Sequence, residues 1–294
     1  MGFKLFLLFE KFLMILPKSW RKQIFSALAF LAYYVSPRYK TVAKQNLDFT
    51  FDEKISSDEI DKITRYSFKN LLFNFLHLIE IRYISKSELQ KKVKIENIQA
   101  AQKVHKEGRA VIYVLSHYCA WELGAAATGA FIEPVTAVYK KMKNQTFQDW
   151  LLETRAVFNI ASLEKTKVIK PLIKLIKQGK ATAILIDTNI NEREGVMVDF
   201  MGKKIRQTSS PAYLARKFNA AIIPITIKTN DEEFYTMTVY DEIPVEKTEN
   251  PEEDIQKATQ LQADWLTKLI TDEPKFWFWL HRRWKNDYPE IYKK

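Results

Sequence analysis

The chain has 294 residues, 47% of them hydrophobic, with a formal net charge of +11 and one cysteine. That length gives room for one large α/β domain plus an appendage. The lone cysteine excludes a disulfide framework and a cysteine-rich zinc site and suits a reducing compartment, while seven glycines leave no glycine-rich phosphate loop or dinucleotide fingerprint.

The basic balance favours acidic partners: nucleic acid, anionic lipid or an acidic carrier protein. No recognised nucleic-acid module is present, and the charge is scattered, so no nucleic-acid partner is expected. Residues 3–16, FKLFLLFEKFLMIL, are apolar but interrupted by Lys4, Glu10 and Lys11. Lys4, Lys11 and Lys18 recur every seven residues and share one helix face; Pro17 stops or kinks the helix. A second apolar run, Phe25–Val35, is far below the ~20 residues that span a bilayer, and no signal-type cleavage site is evident. Residues 1–50 therefore read as amphipathic, membrane-associating helices, with Trp20, Tyr33, Tyr34, Arg21 and Arg38 as interface-type residues on their flanks. A buried helical hairpin is the plainer alternative.

Residues 51–294 read as one α/β domain. Residues 57–80 predict a helix capped by Ser57, with His77 a packed core residue. Val93–Ile95 predicts a short strand and Asn97–Glu107 a short helix closed by Gly108. Strand Ala110–Leu115 opens the α/β core, followed by strand Pro134–Val138 and helices over Asn144–Phe158 and Pro171–Gln178. Strands over Ala181–Asp187, Val196–Phe200, Ala221–Ile227 and Phe234–Asp241 frame a helix over Ser209–Phe218. Asp254–Thr271 predicts a long amphipathic helix. The alternation implies an α/β fold with a mixed, mostly parallel central sheet flanked by helices.

The run AVIYVLSHYCAWELGAAATGAF, residues 110–131, carries the chemistry. His117 and Glu122 sit at a strand-to-helix turn, where α/β sheets place reacting groups. An imidazole accepts a proton near neutral pH, and a carboxylate on its other nitrogen would fix the tautomer. Taken alone, the segment reads rather as a capping histidine and a surface glutamate. Cys119 invites a Cys–His nucleophile, but two side chains two apart on a tight turn rarely align.

At His117-x4-Glu122 the sequence resembles the lipid A biosynthesis lauroyl/myristoyl acyltransferases of the glycerolipid acyltransferase superfamily. Further blocks carry the resemblance: Arg38-Tyr39-Lys40 with Asn46-Leu47; Val138-Tyr139-Lys140 with Asn144 and Arg155; Asp187 followed by Gly195-Val196, Phe200 and Gly202; and Pro274, Trp277, Trp279 and His281-Arg282-Arg283-Trp284-Lys285. Thr188 departs from a usual glutamine, and Met201 from a usual aromatic.

The resemblance implies transfer of a fatty acyl chain from acyl carrier protein to a hydroxyl on an acyl chain of a Kdo-bearing lipid A precursor, at the cytoplasmic face of the inner membrane. It makes His117 the general base, Glu122 its partner, and Asn144, Arg155 and Asp187 residues lining the site. A thioester is already activated, so no metal or other cofactor is expected. Arg155 would donate to an oxyanion or clamp a phosphate; taken alone it is a helix-surface ion pair with Glu153 or Asp149. Asp187 would alternatively cap a turn, and Asn144 its helix. Lys140-Lys141-Lys143, Lys203-Lys204-Arg206 and Arg282-Arg283-Lys285 are candidates for the carrier's acidic helices or the lipid phosphates. Trp277, His281 and Trp284 share a face if that segment is helical, a spacing more typical of packing than of catalysis. A different glycolipid or glycerolipid acceptor, or a non-catalytic membrane-surface protein, are the competing readings.

Overall fold

The computed structural model describes residues 2–52, 54–166, 168–191 and 194–293. Three helices open it: α1 (Gly2–Ile15), α2 (Lys18–Val35) and α3 (Pro37–Phe51). Proline cannot donate to a helix and clashes with the preceding turn, so Pro17 separates α1 from α2. Lys18 consequently starts a new helix and does not extend the Lys4–Lys11 face. α4 (Ser57–Ile81) is capped by Ser56, one residue earlier than expected, whose hydroxyl accepts from the Glu59 N–H at 3.2 Å.

The rest of the chain alternates: α5 (Lys86–Lys92), β1 (Val93–Glu96), α6 (Gln99–Lys106), β2 (Val111–Leu115), α7 (Trp121–Phe131), β3 (Val135–Tyr139), α8 (Gln145–Ala156), β4 (Ile160–Glu164), α9 (Ile169–Lys177) and β5 (Ala181–Leu185). There follow β6 (Gly195–Phe200), β7 (Lys203–Thr208), α10 (Ser210–Phe218), β8 (Ala221–Thr229), β9 (Tyr235–Val239) and α11 (Pro251–Asp272). A seven-stranded sheet runs β1-β9-β8-β2-β5-β3-β4, and β6 with β7 forms a separate hairpin. Strands β8, β2, β5, β3 and β4 are mutually parallel, β9 is antiparallel to β8, and β1 is parallel to β9. The expected mixed, mostly parallel α/β architecture is the one observed.

Central strand β2 is buried on both faces, as a parallel strand covered by helices must be. Helix α7 approaches the neighbouring backbone so closely that a Cβ on Gly129 would lie 1.9 Å from the Phe158 carbonyl oxygen, which only glycine tolerates. The core sits around β2, β8 and α7 and extends to Tyr33, Ala43 and Leu47 of the N-terminal helices.

Helix α1 lies against α4 and α8. Phe6 packs edge-on to Trp150 at 5.1 Å, and Glu10 turns inward, where its carboxylate accepts from Trp150 Nε1 at 2.8 Å and Tyr83 Oη at 2.9 Å. The charge that breaks the apolar run thus faces protein, not solvent. What α1 and α2 present outward is largely apolar: Leu5, Leu8, Phe12, Ile15, Trp20 and Leu31 are all more than half exposed. No helix of the described residues is long and apolar enough to cross a membrane.

After α11 the chain makes two short turns, Pro274–Phe276 and Pro289–Tyr292, and is otherwise irregular over the described residues. Residues 277–284 are not helical, so Trp277, His281 and Trp284 do not form a helix face. Trp277, Trp279 and Trp284 are instead buried, with Trp277 edge-on to Trp279 at 4.7 Å and to Trp284 at 5.8 Å.

Candidate active site

Two parallel strands leave the sheet in step. Leu115 at the end of β2 is paired with Leu185 at the end of β5. Two residues further along each chain stand His117 and Asp187. Side-by-side parallel strands thereby bring together groups 70 residues apart in sequence, at the carboxyl edge where α/β sheets bind ligands. Tyr139 ends β3 at the same edge, with Lys140 following.

Asp187 is 3% exposed. Its Oδ1 accepts from His117 Nδ1 at 3.0 Å. Its Oδ2 accepts from three donors: Ser116 Oγ at 2.7 Å, the His117 backbone N–H at 2.8 Å and Trp277 Nε1 at 3.0 Å. Burial alone would raise the carboxyl pKa, but the facing imidazole and these donors hold it well below the usual carboxylate range. An ionised carboxylate only accepts, so Nδ1 of His117 carries the proton and Nε2 is left with its lone pair. Burial lowers the imidazole pKa; the Asp187 charge and hydrogen bond more than offset that, leaving it raised. The ring packs edge-on to Trp121 at 5.3 Å and against Phe278 at 5.9 Å, with a quarter of the side chain exposed.

The expectation that Glu122 holds the second ring nitrogen is therefore corrected: Asp187 occupies it. Glu122 is the second residue of α7 and its side chain meets α8. It takes a two-fold hydrogen bond from Arg155, Nη2 to Oε1 at 2.6 Å and Nε to Oε2 at 3.1 Å. Its backbone N–H donates to Asn74 Oδ1 at 3.3 Å. Its charge still faces His117 and helps raise the imidazole pKa. Arg155 is paired with neither Glu153 nor Asp149. Burial lowers its pKa, and the Glu122 pair more than restores it.

Between α7 and the sheet lies an apolar cavity of about 570 Å³ including its open mouth. Alternate residues toward the carboxyl ends of β2 and β5 face it, Tyr113 and Leu115 with Ala183 and Leu185, in step with the strand period. Trp121, on which the His117 ring packs, lines it together with Glu122 and Arg155, so their ion pair stands on its wall.

The remaining expected residues fall elsewhere. Asn144 caps α8, its Oδ1 accepting from the Phe147 N–H at 3.2 Å, and does not line the cavity. Arg206 on β7 is paired with Asp287 at 2.8 Å, and Lys204 with Asp199 at 2.9 Å, so two charges of that cluster are already offset. Lys140, Lys141 and Lys143 are exposed at the strand edge. His281 Nε2 accepts the Asn189 N–H at 3.1 Å, bracing the loop after Asp187, and burial pushes its pKa down to about 4. Cys119 is buried with a left-handed backbone, φ 49°, and lines a separate small cavity with His77 and Tyr235. Burial pushes its thiol up to about 12.

Sequence reasoning missed the polar groups that fix the turn. Asn74 Nδ2 donates to the Cys119 carbonyl at 2.7 Å, and Asn70 Nδ2 to the Phe276 carbonyl at 3.1 Å. Two asparagines four apart on the apolar face of a helix were the available signal.

With this geometry in hand, the similarities to known proteins fall into place. The family model of bacterial lipid A biosynthesis acyltransferases matches residues 1–286. The lipid A biosynthesis lauroyltransferase of Escherichia coli is 24% identical over 260 residues, 88% of this chain and 83% of that protein. A lipid A biosynthesis acyltransferase 2 of Shigella flexneri is 20% identical over 90% of this chain and 83% of its own length. The phosphatidylinositol mannoside acyltransferase of Mycolicibacterium smegmatis is 24% identical over 61% of this chain and 58% of its own length. The match runs through the turn that carries His117 and the strand end that carries Asp187, and the chain belongs to the bacterial lipid A biosynthesis acyltransferase family.

Proposed function

We propose that the protein transfers a fatty acyl group from acyl carrier protein to a hydroxyl on an acyl chain of a Kdo-bearing lipid A precursor, working at the cytoplasmic face of the inner membrane. The observation that carries the reading is a histidine oriented by a buried carboxylate, its Nε2 without a hydrogen bond among the described residues, packed on a tryptophan that lines an apolar cavity.

Nε2 of His117 takes the proton of the acceptor hydroxyl as its oxygen attacks the thioester carbonyl. Asp187 stabilises the imidazolium that forms. The tetrahedral oxyanion collapses, the carbon–sulfur bond breaks, and the leaving thiolate recovers the proton from His117. A positioned base contributes about 10²–10⁴-fold. The thioester supplies the activation, so the residues of this chain need only hold, orient and move a proton. The aliphatic cavity walls suit a fatty acyl chain, and the Glu122–Arg155 pair offers polar contact where the thioester would lie.

The outward apolar faces of α1 and α2 support membrane contact, since soluble monomers rarely expose contiguous apolar surface of this kind. Exposed lysines 140, 141 and 143 at the strand edge suit an acidic carrier.

Incubating the purified protein with acyl-loaded carrier and a Kdo-bearing lipid A precursor should add one acyl mass to the lipid. The relative from Mycolicibacterium smegmatis favours one competing acceptor. Acylation of a phosphatidylinositol mannoside in the same assay, with none of the Kdo-bearing lipid, would replace this reading with that one.

A further inference from the structure

We propose that Trp277 is a positioning residue for the proposed base: its indole N–H fixes the Asp187 carboxylate so that Oδ1 is presented to His117. The inference rests on the reading of His117 as the base, but its geometry does not.

The carboxylate is shared unequally. Oδ2 receives three donors and Oδ1 receives one, His117 Nδ1. Ser116 and the His117 backbone N–H come from the same turn as the imidazole and move with it. Trp277 comes from 160 residues further along the chain (277 minus 117) and is the donor that ties the carboxylate to the rest of the protein. Rotation of the carboxylate breaks this bond, so the oxygen facing the imidazole is selected from outside the turn.

The C-terminal segment is anchored for this task on both sides of the indole. Tyr118 and Trp277 form an isolated antiparallel bridge. The Cys119 N–H donates to the Phe276 carbonyl at 2.9 Å, and the Phe278 N–H donates to the His117 carbonyl at 3.0 Å. Side chains alternate in such an extended stretch. Trp277 thus meets Asp187 while Phe278 meets the His117 ring at 5.9 Å. One three-residue segment holds the carboxylate through a hydrogen bond and walls the imidazole through an aromatic contact. The indole itself is 1% exposed and walled by Trp279, Trp284 and Phe200, the last at 5.9 Å, so it cannot swing away.

An indole N–H suits this place because it donates, never accepts and never titrates near neutrality. Its dipole offsets part of the Asp187 charge without competing with His117 for a proton. The other charged or titratable groups facing the pair are Glu122 and Arg155 on the His117 side, and Arg283 and His281 nearer Asp187, with Lys140 beyond His281. None of them donates a hydrogen bond to Asp187 among the described residues, so removing the indole donor leaves the carboxylate more basic.

The test replaces the N–H without removing the ring. In Trp277→β-(3-benzothienyl)alanine a sulfur takes the place of the N–H in a fused ring of the same shape; Trp277→Phe is the simpler companion. With a donor lost from a charged acceptor, kcat falls about tenfold and KM for either substrate moves less than about twofold. The chain has four histidines, so NMR titration follows His117 directly; its pKa rises by about half a unit as the carboxylate becomes more basic. Phe200→Leu, which loosens packing on the same indole without touching Asp187, lowers the melting temperature and leaves the His117 pKa in place. Wild-type kcat and an unmoved His117 pKa in the isosteric variant overturn the proposal. So does a Phe200→Leu variant that reproduces the pKa rise, because packing alone would then account for it. If the wild-type protein transfers no acyl group, the functional reading fails, and the titration still decides the role of Trp277.

Discussion

Asp187 meets His117 twice: Oδ1 faces the ring Nδ1 at 3.0 Å, and Oδ2 accepts the same residue's backbone N–H at 2.8 Å. Side chain and main chain of the histidine are thus tied to one carboxylate, which fixes both tautomer and ring orientation. An amide at position 187 keeps the shape but can donate to Nδ1, stabilising the tautomer with its lone pair on the wrong nitrogen. Asp187→Asn should lower kcat by about 10³–10⁴-fold, as loss of the orienting carboxylate does in other histidine bases. The pH profile should move as well. The base works when neutral, and Asp187 raises the imidazole pKa. Removing that charge lowers the pKa, so the residual activity should persist to lower pH than in the wild type. An acid limb at the wild-type position would show that Asp187 does not govern the titration.

Glu122 and Arg155 should behave as a pair in stability. Their side chains retain 8% and 19% exposure, so deleting one leaves the other's charge largely desolvated. Removing one partner of a buried pair costs about 3–5 kcal/mol, and the solvent reaching Arg155 places this one near the lower end. Glu122→Gln and Arg155→Met should each lower the melting temperature. The double variant should be more stable than the sum of the two losses predicts. Strict additivity in thermal denaturation would mean the pair is not coupled.

Cys119 should carry no acyl group at any stage. Its thiol is buried and held up to about 12, so almost no thiolate exists at neutral pH. Cys119→Ser should keep substantial activity. Intact-mass spectra after mixing with donor alone should show the unmodified chain; a stable acyl adduct on Cys119 would replace direct transfer with a two-step route.

The outward faces of α1 and α2 should account for lipid binding. Leu8, Phe12 and Leu31 are 64%, 54% and 55% exposed, so replacing them should not touch the core. Leu8→Glu, Phe12→Glu and Leu31→Glu together should reduce co-sedimentation with anionic vesicles at least about tenfold, with the melting temperature nearly unchanged. Undiminished sedimentation would place the membrane contact elsewhere.

How much of this is legible in the sequence follows from where each signal lives. The strand before His117 and the helix after it show in a β-branched run followed by small residues, and the observed β2 and α7 agree closely with that reading. Helices α3 and α5 and strands β4 and β7 were not expected. In β7 the buried Ile205 and Gln207 alternate with exposed or half-buried Lys204 and Arg206, and the charges mask the period. The partner of His117 was out of reach for a different reason. Spacing pairs residues within one turn, which favours Glu122; the β2–β5 register, which brings Asp187 to the ring, is a property of the folded sheet. Trp277 illustrates the same limit: its spacing to His281 and Trp284 suggests a helix face, and only the extended course of 276–278 brings its N–H to Asp187.

In the proposed reaction His117 removes the proton of the acceptor hydroxyl in a direct transfer. Single-turnover transfer from acyl-loaded carrier to the Kdo-bearing lipid, followed by mass spectrometry for wild type and His117→Ala, tests it most directly. The chemical step should be slowed by about 10²–10⁴-fold in the variant, with donor binding and melting temperature preserved. A folded His117→Ala protein that transfers acyl groups at the wild-type rate would contradict it.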